Sequence, residues 1–372
     1  MNILTVIFLG SPEAVAVHRV HAQIAASVSG AKNTVCFVSG AGCSVESEFP
    51  TGTEFVYLKS DKRAVTKGHR LSKLLKRKRL EKKLGVLISK HDYVISDGFS
   101  VSGIIAESII EHDKKCLTIL HGTVSRVRPY IKRVWNLLLD SRFMYCGVSE
   151  SVTASLLVTT SIRSDNAVSV VNGVDVETVK TGLLNRASAR SFLGLRSDDF
   201  VVGVTARLEN QKNIERLLDC FHIYAAKDVD ARLVIIGAGS LGEKLKKKAI
   251  ELNLEEQVIF SGYLENGYCY LKAFDIYGLL SFAEGFALSV LEAQVAQLPI
   301  ILSNIEPFKE VEKRTNSSFC KVINTNLEFA EVISEWKNIV GSKTPFELEG
   351  LCLKRMRREY SSLIQKHSTK IG

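Results

Sequence analysis

The sequence predicts an α/β protein made of two doubly wound parallel-sheet domains, and three observations favour this fold class. Short apolar runs of strand length alternate with segments of helical spacing along most of the chain. Some runs end in a glycine turn that leads into a helix, as at Gly237-Ala-Gly239. The length of 372 residues exceeds what one hydrophobic core usually holds. We therefore expect two domains.

The composition is that of a globular protein, with 46% hydrophobic and 24% charged residues. No apolar run reaches the ~18 residues of a membrane span, and the first residues lack the basic start and small-residue cleavage site of a signal peptide. These features predict a cytoplasmic protein. The eight cysteines are scattered singly, without CxxC pairs, which argues against a disulfide framework or a zinc site built on cysteine.

The amino-terminal half begins with a predicted strand at residues 3–9. Ser11 is placed as an N-cap and Pro12 at the first helical position, so a helix to about Ser29 is predicted. Ligands of such sheets collect outside the carboxyl ends of the strands, which makes Gly10 and Ser11 candidate ligand-binding residues. A tight turn with a good cap explains both residues equally well. Further strands are predicted at residues 34–38, 54–58, 93–96, 116–120 and 143–148.

A histidine and a glycine, His121 and Gly122, come directly after the predicted strand at residues 116–120. A histidine in such a position is as often a hydrogen-bonded structural residue as a catalytic one, because its titrating ring suits both roles. Asp97-Gly98 follows another strand, but Ser-Asp-Gly is first of all a turn. Asp97 is therefore the weaker candidate of the two.

A basic stretch covers residues 61–84, and further cations follow it at Arg126, Arg128, Lys132 and Arg133. Together they carry more than the net charge of +9. Each Lys or Arg near an anionic leaflet contributes ~1 kcal/mol of binding. The stretch predicts attachment to an anionic membrane surface through residues 62–83, or a polyanionic, lipid-linked acceptor. Aromatic residues are not interleaved with the cations, so nucleic acid is not expected as a partner.

The second half opens after a polar connection at residues 159–166. A strand at residues 200–205 is followed by Arg207 and Lys212, two cations five residues apart at the carboxyl end of a strand. Such a pair can converge on one diphosphate, although two solvent-facing loop residues would show the same pattern. Asn213 is predicted as the N-cap of a helix to about Ala226.

The most informative stretch is Ser281-Phe-Ala-Glu-Gly-Phe-Ala-Leu-Ser-Val-Leu-Glu-Ala, between a strand-length run at residues 275–280 and a segment of helical spacing. A loop that holds Gly285 at the mouth of a helix can bring backbone N–H groups of residues 286–288 against a diphosphate. Glu284 falls in the loop and Glu292 one turn into the helix. Ser289 and Glu292 also fit a capping box, which needs no ligand.

This stretch resembles the signature of retaining GT-B glycosyltransferases of family 4, in which Glu-Gly-Phe-Gly and a second glutamate lead to a proline-containing strand. The chain departs from that signature at Ala287 and Gln297, where the family usually has glycine. Arg207-Leu, Gln211-Lys-Asn and the turn Asn172-Gly-Val-Asp resemble further elements of the same family. The resemblance implies a GT-B fold, in which two Rossmann-like domains face a central cleft.

The resemblance also implies roles for individual residues. Arg207 and Lys212 would bind the donor phosphates, Glu284 the hydroxyls of the donor sugar, and Glu292 the ribose. His121 would face the donor sugar. The backbone would contact the nucleotide and its diphosphate at Gly239, Gly262, Tyr263, Gly285, Phe286, Ala287 and Leu288.

The implied domains are residues 1–163 for the acceptor, residues 164–345 for the nucleotide sugar, and a helix at residues 346–372 that returns to the first domain. The implied activity is metal-independent transfer of a hexose-type sugar from a nucleotide-diphosphate sugar to a glycan or lipid-linked acceptor. Configuration would be retained and no cofactor is expected. Asp228-Val-Asp230 resembles the metal motif of the other glycosyltransferase fold, but it falls in a turn away from the predicted site.

The resemblance further implies synthesis of bacterial surface polysaccharide or lipopolysaccharide, at the inner face of the cytoplasmic membrane. Two alternatives stay open at this point. A sugar-nucleotide epimerase or hydrolase can use the same scaffold, because a fold does not decide chemistry. A non-catalytic, basic adaptor is the other.

Overall fold

The computed structural model describes residues 1–8, 15–38, 46–59, 71–127, 129–337, 346 and 349–369. The candidate residues Gly10 and Ser11 lie outside these ranges, as do Arg128 and residues 61–70 of the basic stretch. Contacts divide the chain into two compact units, one of Met1–Asn172 with Lys354–Gly372 and one of Gly173–Leu353.

The first unit contains a parallel sheet of seven strands in the order β3-β2-β1-β4-β5-β6-β7. Its central strands are buried almost throughout, as expected of strands covered on both faces. The last strand pairs with β6, so residues 167–169 belong to the first sheet, whereas the sequence placed the domain boundary after residue 163. The strands are β1 Asn2–Ile7, β2 Lys32–Val38, β3 Glu54–Leu58, β4 Tyr93–Asp97, β5 Lys115–Leu120, β6 Phe143–Gly147 and β7 Ala167–Ser169.

The second unit contains a parallel sheet of six strands in the order β10-β9-β8-β11-β12-β13. Its strands are β8 Phe200–Thr205, β9 Ala231–Ile236, β10 Val258–Gly262, β11 Ile276–Leu279, β12 Ile300–Ser303 and β13 Cys320–Ile323. The first five follow the apolar runs read from the sequence. The last was missed, because Lys321 interrupts its short apolar run and leaves no strand pattern. The predicted class, α/β with two parallel sheets, is confirmed.

Helices connect the strands in both units. One predicted helix end is wrong: the first helix ends at Ala25 rather than at about Ser29. Five short 3-10 segments lie at residues 46–48, 164–166, 210–212, 267–273 and 349–351. The helices are α1 Val15–Ala25, α2 Leu71–Ser89, α3 Gly98–Glu111, α4 Pro129–Lys132, α5 Trp135–Leu138, α6 Glu150–Thr159, α7 Val176–Gly182, α8 Arg186–Phe192, α9 Ile214–Ala225, α10 Gly242–Glu251, α11 Leu288–Val295, α12 Glu306–Thr315, α13 Asn326–Lys337 and α14 Leu353–Thr369.

The last helix, α14, packs within the first unit. Met356, Tyr360 and Ile364 repeat at helical spacing and are all buried. The hydroxyl of Tyr93 lies 2.7 Å from Nδ1 of His367, so the end of α14 is held against β4. The chain therefore enters the second unit at Gly173 and leaves it at Leu353.

Candidate functional site

The candidate residues of the second unit follow the carboxyl ends of neighbouring strands. In this parallel sheet β8 lies between β9 and β11. Arg207 and Lys212 follow β8, and the loop that contains Glu284 follows β11. Parallel neighbours end at the same edge of a sheet, so the two loops lie side by side.

Three hydrogen bonds join the loop after β8 to the loop after β11. The N–H of Phe282 donates to the carbonyl of Gln211 at 2.9 Å, and Nε2 of Gln211 donates to the carbonyl of Ala283 at 2.7 Å. Nδ2 of Asn213 donates to the carbonyl of Leu280 at 3.1 Å. Asn213 does hold the N-cap position of α9, but its side chain makes no capping bond and its φ is 50°. The predicted N-cap position is confirmed, but the side-chain amide bonds the neighbouring loop instead of capping the helix.

Lys212 and Glu284 form an ion pair, with Nζ and Oε1 2.7 Å apart. The side chains are only 15% and 7% exposed. Oγ of Ser281 donates to the same carboxylate oxygen at 2.6 Å, and Oγ of Ser303 donates to the carbonyl of Ser281. Oε2 of Glu284 makes no hydrogen bond to any residue that the structure describes. One carboxylate oxygen is thus fixed and the other is available.

The loop between β9 and α10 lies against the loop that carries Arg207. A Cβ on Gly237 would come within 1.9 Å of the carbonyl oxygen of Ala206, and one on Gly239 within 2.6 Å of that of Leu208. Only glycine permits this approach of two backbones. The carboxylate of Glu209 accepts bonds from the N–H and the hydroxyl of Ser240, which lower its pKa and fix the same contact.

Arg207 is partly buried in this loop. Within the described part of the chain its guanidinium makes no hydrogen bond and no ion pair shorter than 4 Å. An arginine whose main chain is fixed by loop contacts and whose guanidinium donors are unused is well suited to bind a phosphate. The structure thus joins Lys212 directly to Glu284, and it places Arg207 at the same edge of the sheet.

The amino terminus of α11 has no side-chain cap. The N-cap residue is Ala287, and Ser289 is already the second residue of the helix. The capping-box interpretation of Ser289 and Glu292 is therefore wrong. Ser289 lies near the buried Tyr277, whose pKa is raised to about 12 by its burial and whose hydroxyl contacts Thr205. The start of α11 keeps backbone N–H groups and a dipole that favour an anion.

The remaining predicted donor residues are distributed around this helix and the neighbouring strands. Gly285, Phe286 and Ala287 are buried, and Leu288 and Glu292 are partly buried. Gly262 ends β10 with a φ of 75° and accepts the N–H of Gly237. Tyr263, which follows it, is 63% exposed.

The first unit holds a second polar cluster around His121, directly after β5. Nε2 of His121 lies 3.2 Å from Nε2 of His21 and 3.6 Å from Oδ1 of Asp97. Burial lowers the pKa of His121 to about 4, against the opposing effect of Asp97, so the ring is neutral at neutral pH. Sequence reasoning named Asp97 as the weaker candidate and missed His21. A histidine on the buried face of α1 gives the same pattern as an ordinary core residue.

The other predicted features have ordinary partners. Asp228 bonds Tyr224 and Lys337, and Asp230 pairs with Arg196, so both carboxylates are engaged as structural groups. Helix α2 buries Leu80, Leu84 and Ile88 and exposes its basic face, with Lys78, Arg79, Lys82 and Lys83. None of the helices in the described ranges is long and apolar enough to cross a bilayer.

Comparison with known proteins finds a likeness to glycosyltransferases. Residues 185–341 match the family of glycosyl transferases group 1. The putative glycosyltransferase EpsF of Bacillus subtilis is 24% identical over 204 residues, which cover 55% of this chain and 51% of EpsF. The UDP-Gal:alpha-D-GlcNAc-diphosphoundecaprenol alpha-1,3-galactosyltransferase of Escherichia coli is 34% identical over 144 residues, 37% of this chain and 36% of that enzyme. The chain thus spans about half or less of the length of these relatives.

Solved structures match nearly the whole chain. A glycosyltransferase from Rickettsia africae has a TM-score of 0.79 at 16% identity, covering 100% of this chain and 99% of the other. HepE of Anabaena in complex with UDP-glucose has a TM-score of 0.74 at 16% identity, and the match covers 99% of this chain and 95% of HepE. At this identity the likeness concerns the fold, and the predicted GT-B class is confirmed.

Proposed function

We propose that the chain is a metal-independent, retaining glycosyltransferase of family 4, which moves a hexose-type sugar from a nucleotide-diphosphate sugar to a glycan or lipid-linked acceptor. The observation that carries the proposal is the buried pair of Lys212 and Glu284, held between two loops next to the uncapped start of α11. A cation, a carboxylate with a free oxygen and a helix amino terminus are what a sugar diphosphate requires. The name of the E. coli relative, which contains UDP-Gal, and the UDP-glucose bound to HepE support this donor class.

The leaving diphosphate is stabilised in this proposal by Arg207, Lys212 and the N–H groups at the start of α11. Negative charge grows on the phosphate oxygens as the bond to the anomeric carbon breaks. Fixed positive groups that face this charge give the largest single benefit in catalysis. These groups supply the positive charge, so the scheme needs no metal ion at the diphosphate.

Glu284 positions the donor sugar. Its Oε1 is held by Ser281 and Lys212, so its orientation is fixed before the substrate arrives. Its Oε2 then accepts a hydroxyl of the sugar. Glu292 is proposed to bind the ribose, and His121 to face the donor sugar. The backbone at Gly239, Gly262 and Tyr263 lies along the nucleotide in the same proposal.

The transfer step retains the configuration of the anomeric carbon. The acceptor oxygen forms its bond to that carbon on the face from which the phosphate oxygen leaves. The acceptor proton passes to an oxygen of the departing diphosphate, so no protein carboxylate becomes covalently attached. The products are the glycosylated acceptor and the nucleoside diphosphate.

The test is a transfer assay with UDP-, GDP- and ADP-linked sugars and an undecaprenyl-diphosphate-linked sugar as the acceptor. We expect one nucleoside diphosphate released for each acceptor glycosylated, and only slow release without acceptor. An epimerase or hydrolase would change or hydrolyse the donor at the same rate without acceptor. A basic adaptor would do neither, and either of these results would contradict the proposal.

Arg207→Ala is expected to weaken the binding of UDP by ~10–100-fold, since a hydrogen bond to a charged group contributes about 1.5–3 kcal/mol. Isothermal titration calorimetry with UDP measures the effect directly. Arg314→Ala is the matched control, because Arg314 pairs with Glu310 on its own helix. Equal affinities of the two variants for UDP would show that Arg207 does not bind the diphosphate.

The basic face of α2 is proposed to bind the anionic surface on which a lipid-linked acceptor resides, at the inner face of the cytoplasmic membrane. Replacing Lys78 and Lys82 with glutamine is expected to cost ~1 kcal/mol of binding to anionic vesicles for each residue. Co-sedimentation with vesicles, with and without phosphatidylglycerol, measures this. The control is the same change at Lys246 and Lys309, two exposed lysines of the second unit. Binding that depends neither on anionic lipid nor on salt would contradict the proposal.

The process served would be synthesis of a bacterial surface polysaccharide or lipopolysaccharide. The support is the names of two relatives: a capsular polysaccharide biosynthesis glycosyltransferase of Staphylococcus aureus and the diphosphoundecaprenol-linked enzyme of E. coli.

A further inference from the structure

Three ligand atoms converge in the first unit, and the proposed transfer uses only one of the three residues that carry them, His121. They are Nε2 of His21, Nε2 of His121 and Oδ1 of Asp97. The two nitrogens lie 3.2 Å apart, and the oxygen lies 3.6 Å from His121 and 3.8 Å from His21. Each of the three residues comes from a different element: α1, the end of β4, and the position after β5.

Direct hydrogen bonds do not account for this convergence. A bond from N–H to oxygen spans about 2.7–3.2 Å, which is shorter than both distances to Oδ1 of Asp97. Two facing imidazole nitrogens can share only one hydrogen. Nδ1 of His21 is buried and has no hydrogen-bond partner in the described part of the chain. One ring nitrogen of the cluster is therefore buried without a partner in the described part of the chain.

A tetrahedral metal ion accounts for the same distances. Bonds of ~2.1 Å to a tetrahedral ion place neighbouring ligand atoms ~3.4 Å apart. The three observed separations, 3.2, 3.6 and 3.8 Å, lie around that value. Two imidazoles and one carboxylate are ligands that suit zinc, whereas Mg²⁺ prefers oxygen ligands throughout.

The scaffold of this cluster is rigid and open to ions. β4 and β5 are adjacent parallel strands, and Asp97 pairs in register with Ile119, two residues before His121. The side chain of His21 is 0% exposed, whereas those of His121 and Asp97 are 16% and 18% exposed. An ion thus has access from solvent to ligands that backbone elements hold in place, as a preorganised site requires.

We propose that His21, Asp97 and His121 bind one divalent transition-metal ion of the zinc type. Three protein ligands leave a fourth position, which water or an oxygen of a bound molecule would take. The ion would engage Nε2 of His121, and the proposed transfer, which needs no metal ion at the diphosphate, does not depend on its presence.

The experiment is metal binding by the chelator-treated, full-length protein in the absence of any sugar nucleotide. Equilibrium dialysis against Zn²⁺ followed by elemental analysis is expected to show one ion per chain and no uptake of Mg²⁺. Co²⁺ is expected to give the intense visible bands of a tetrahedral site. Removing a direct ligand, in His121→Ala or His21→Ala, is expected to weaken Zn²⁺ binding by more than the ~10–100-fold that loss of an outer partner costs.

His222→Ala is the matched control, because it removes an exposed histidine of the second unit and should keep the one-to-one stoichiometry. Circular dichroism melts confirm that each variant is folded. Asp97→Ala gives an independent variant if the loss of the buried His21 prevents folding, since Asp97 makes no side-chain capping bond to α3. Uptake by the wild type that equals uptake by His121→Ala and Asp97→Ala, or no uptake at all, would overturn the proposal. Neither result depends on transfer activity, which is measured separately.

Discussion

Lys212→Ala is expected to lower kcat for sugar transfer by about 10²–10³-fold, the effect of removing one fixed group that faces transition-state charge. The physical reason is that the ammonium group is held in place before the reaction, 2.7 Å from Glu284 and only 15% exposed. A group fixed in this way stabilises the leaving diphosphate without reorganising. The measurement is steady-state transfer with a saturating nucleotide sugar.

The same variant is also expected to be less stable, by about 3 kcal/mol, because it leaves the carboxylate of Glu284 buried without its cation. A loss of activity alone would therefore not separate catalysis from folding. Adding Glu284→Gln removes the buried charge, so the double variant should regain stability in urea unfolding relative to Lys212→Ala. It should not regain activity. Recovery of both properties together would show that the pair is structural and would contradict the proposed function.

The apolar runs alone predicted most of the fold. Strands β3 and β8 begin and end as read from the sequence, and most of the others differ by one or two residues. Their order within each sheet was not readable. That β11 lies beside β8, although Lys212 and Glu284 are 72 positions apart in the chain, is a property of tertiary pairing. The sequence suggested this contact only through resemblance to a family.

Capping residues show why local propensity failed at the site. Asn213 and Ser289 both have side chains that favour helix starts. In the structure Asn213 takes the N-cap position but its side chain donates to the carbonyl of Leu280, and Ser289 is the second residue of its helix rather than the N-cap. A tertiary contact therefore uses the amide that the local rule assigned to a cap. His21 was missed for the opposite reason. His21 lies on an apolar helix face, so the sequence does not indicate that His121 and Asp97 lie beside it.

The second large effect is expected at Arg190, which contacts the residues before β8 and β11 and not the candidate loops that follow these strands. Its guanidinium is 3% exposed and donates to Asp275 and to the carbonyls of Ala273, Arg196 and Ser197. Asp275 in turn accepts the N–H of Val201 at 2.8 Å. This network therefore joins the beginning of β8 to the residue before β11, the two strands whose other ends carry Lys212 and Glu284.

Arg190→Met is expected to destabilise the protein by ~3–5 kcal/mol in urea unfolding, because it breaks a buried ion pair and leaves three carbonyls without their donor. Arg186→Met is the matched control, since Arg186 pairs with the same carboxylate but is 46% exposed. An ion pair with such an exposed partner contributes about 1 kcal/mol or less. Equal losses of unfolding free energy in the two variants would mean that burial does not determine how strongly this network stabilises the protein. A much larger loss of stability at Arg190 would show that its buried contacts, which join the beginning of β8 to the residue before β11, are strong.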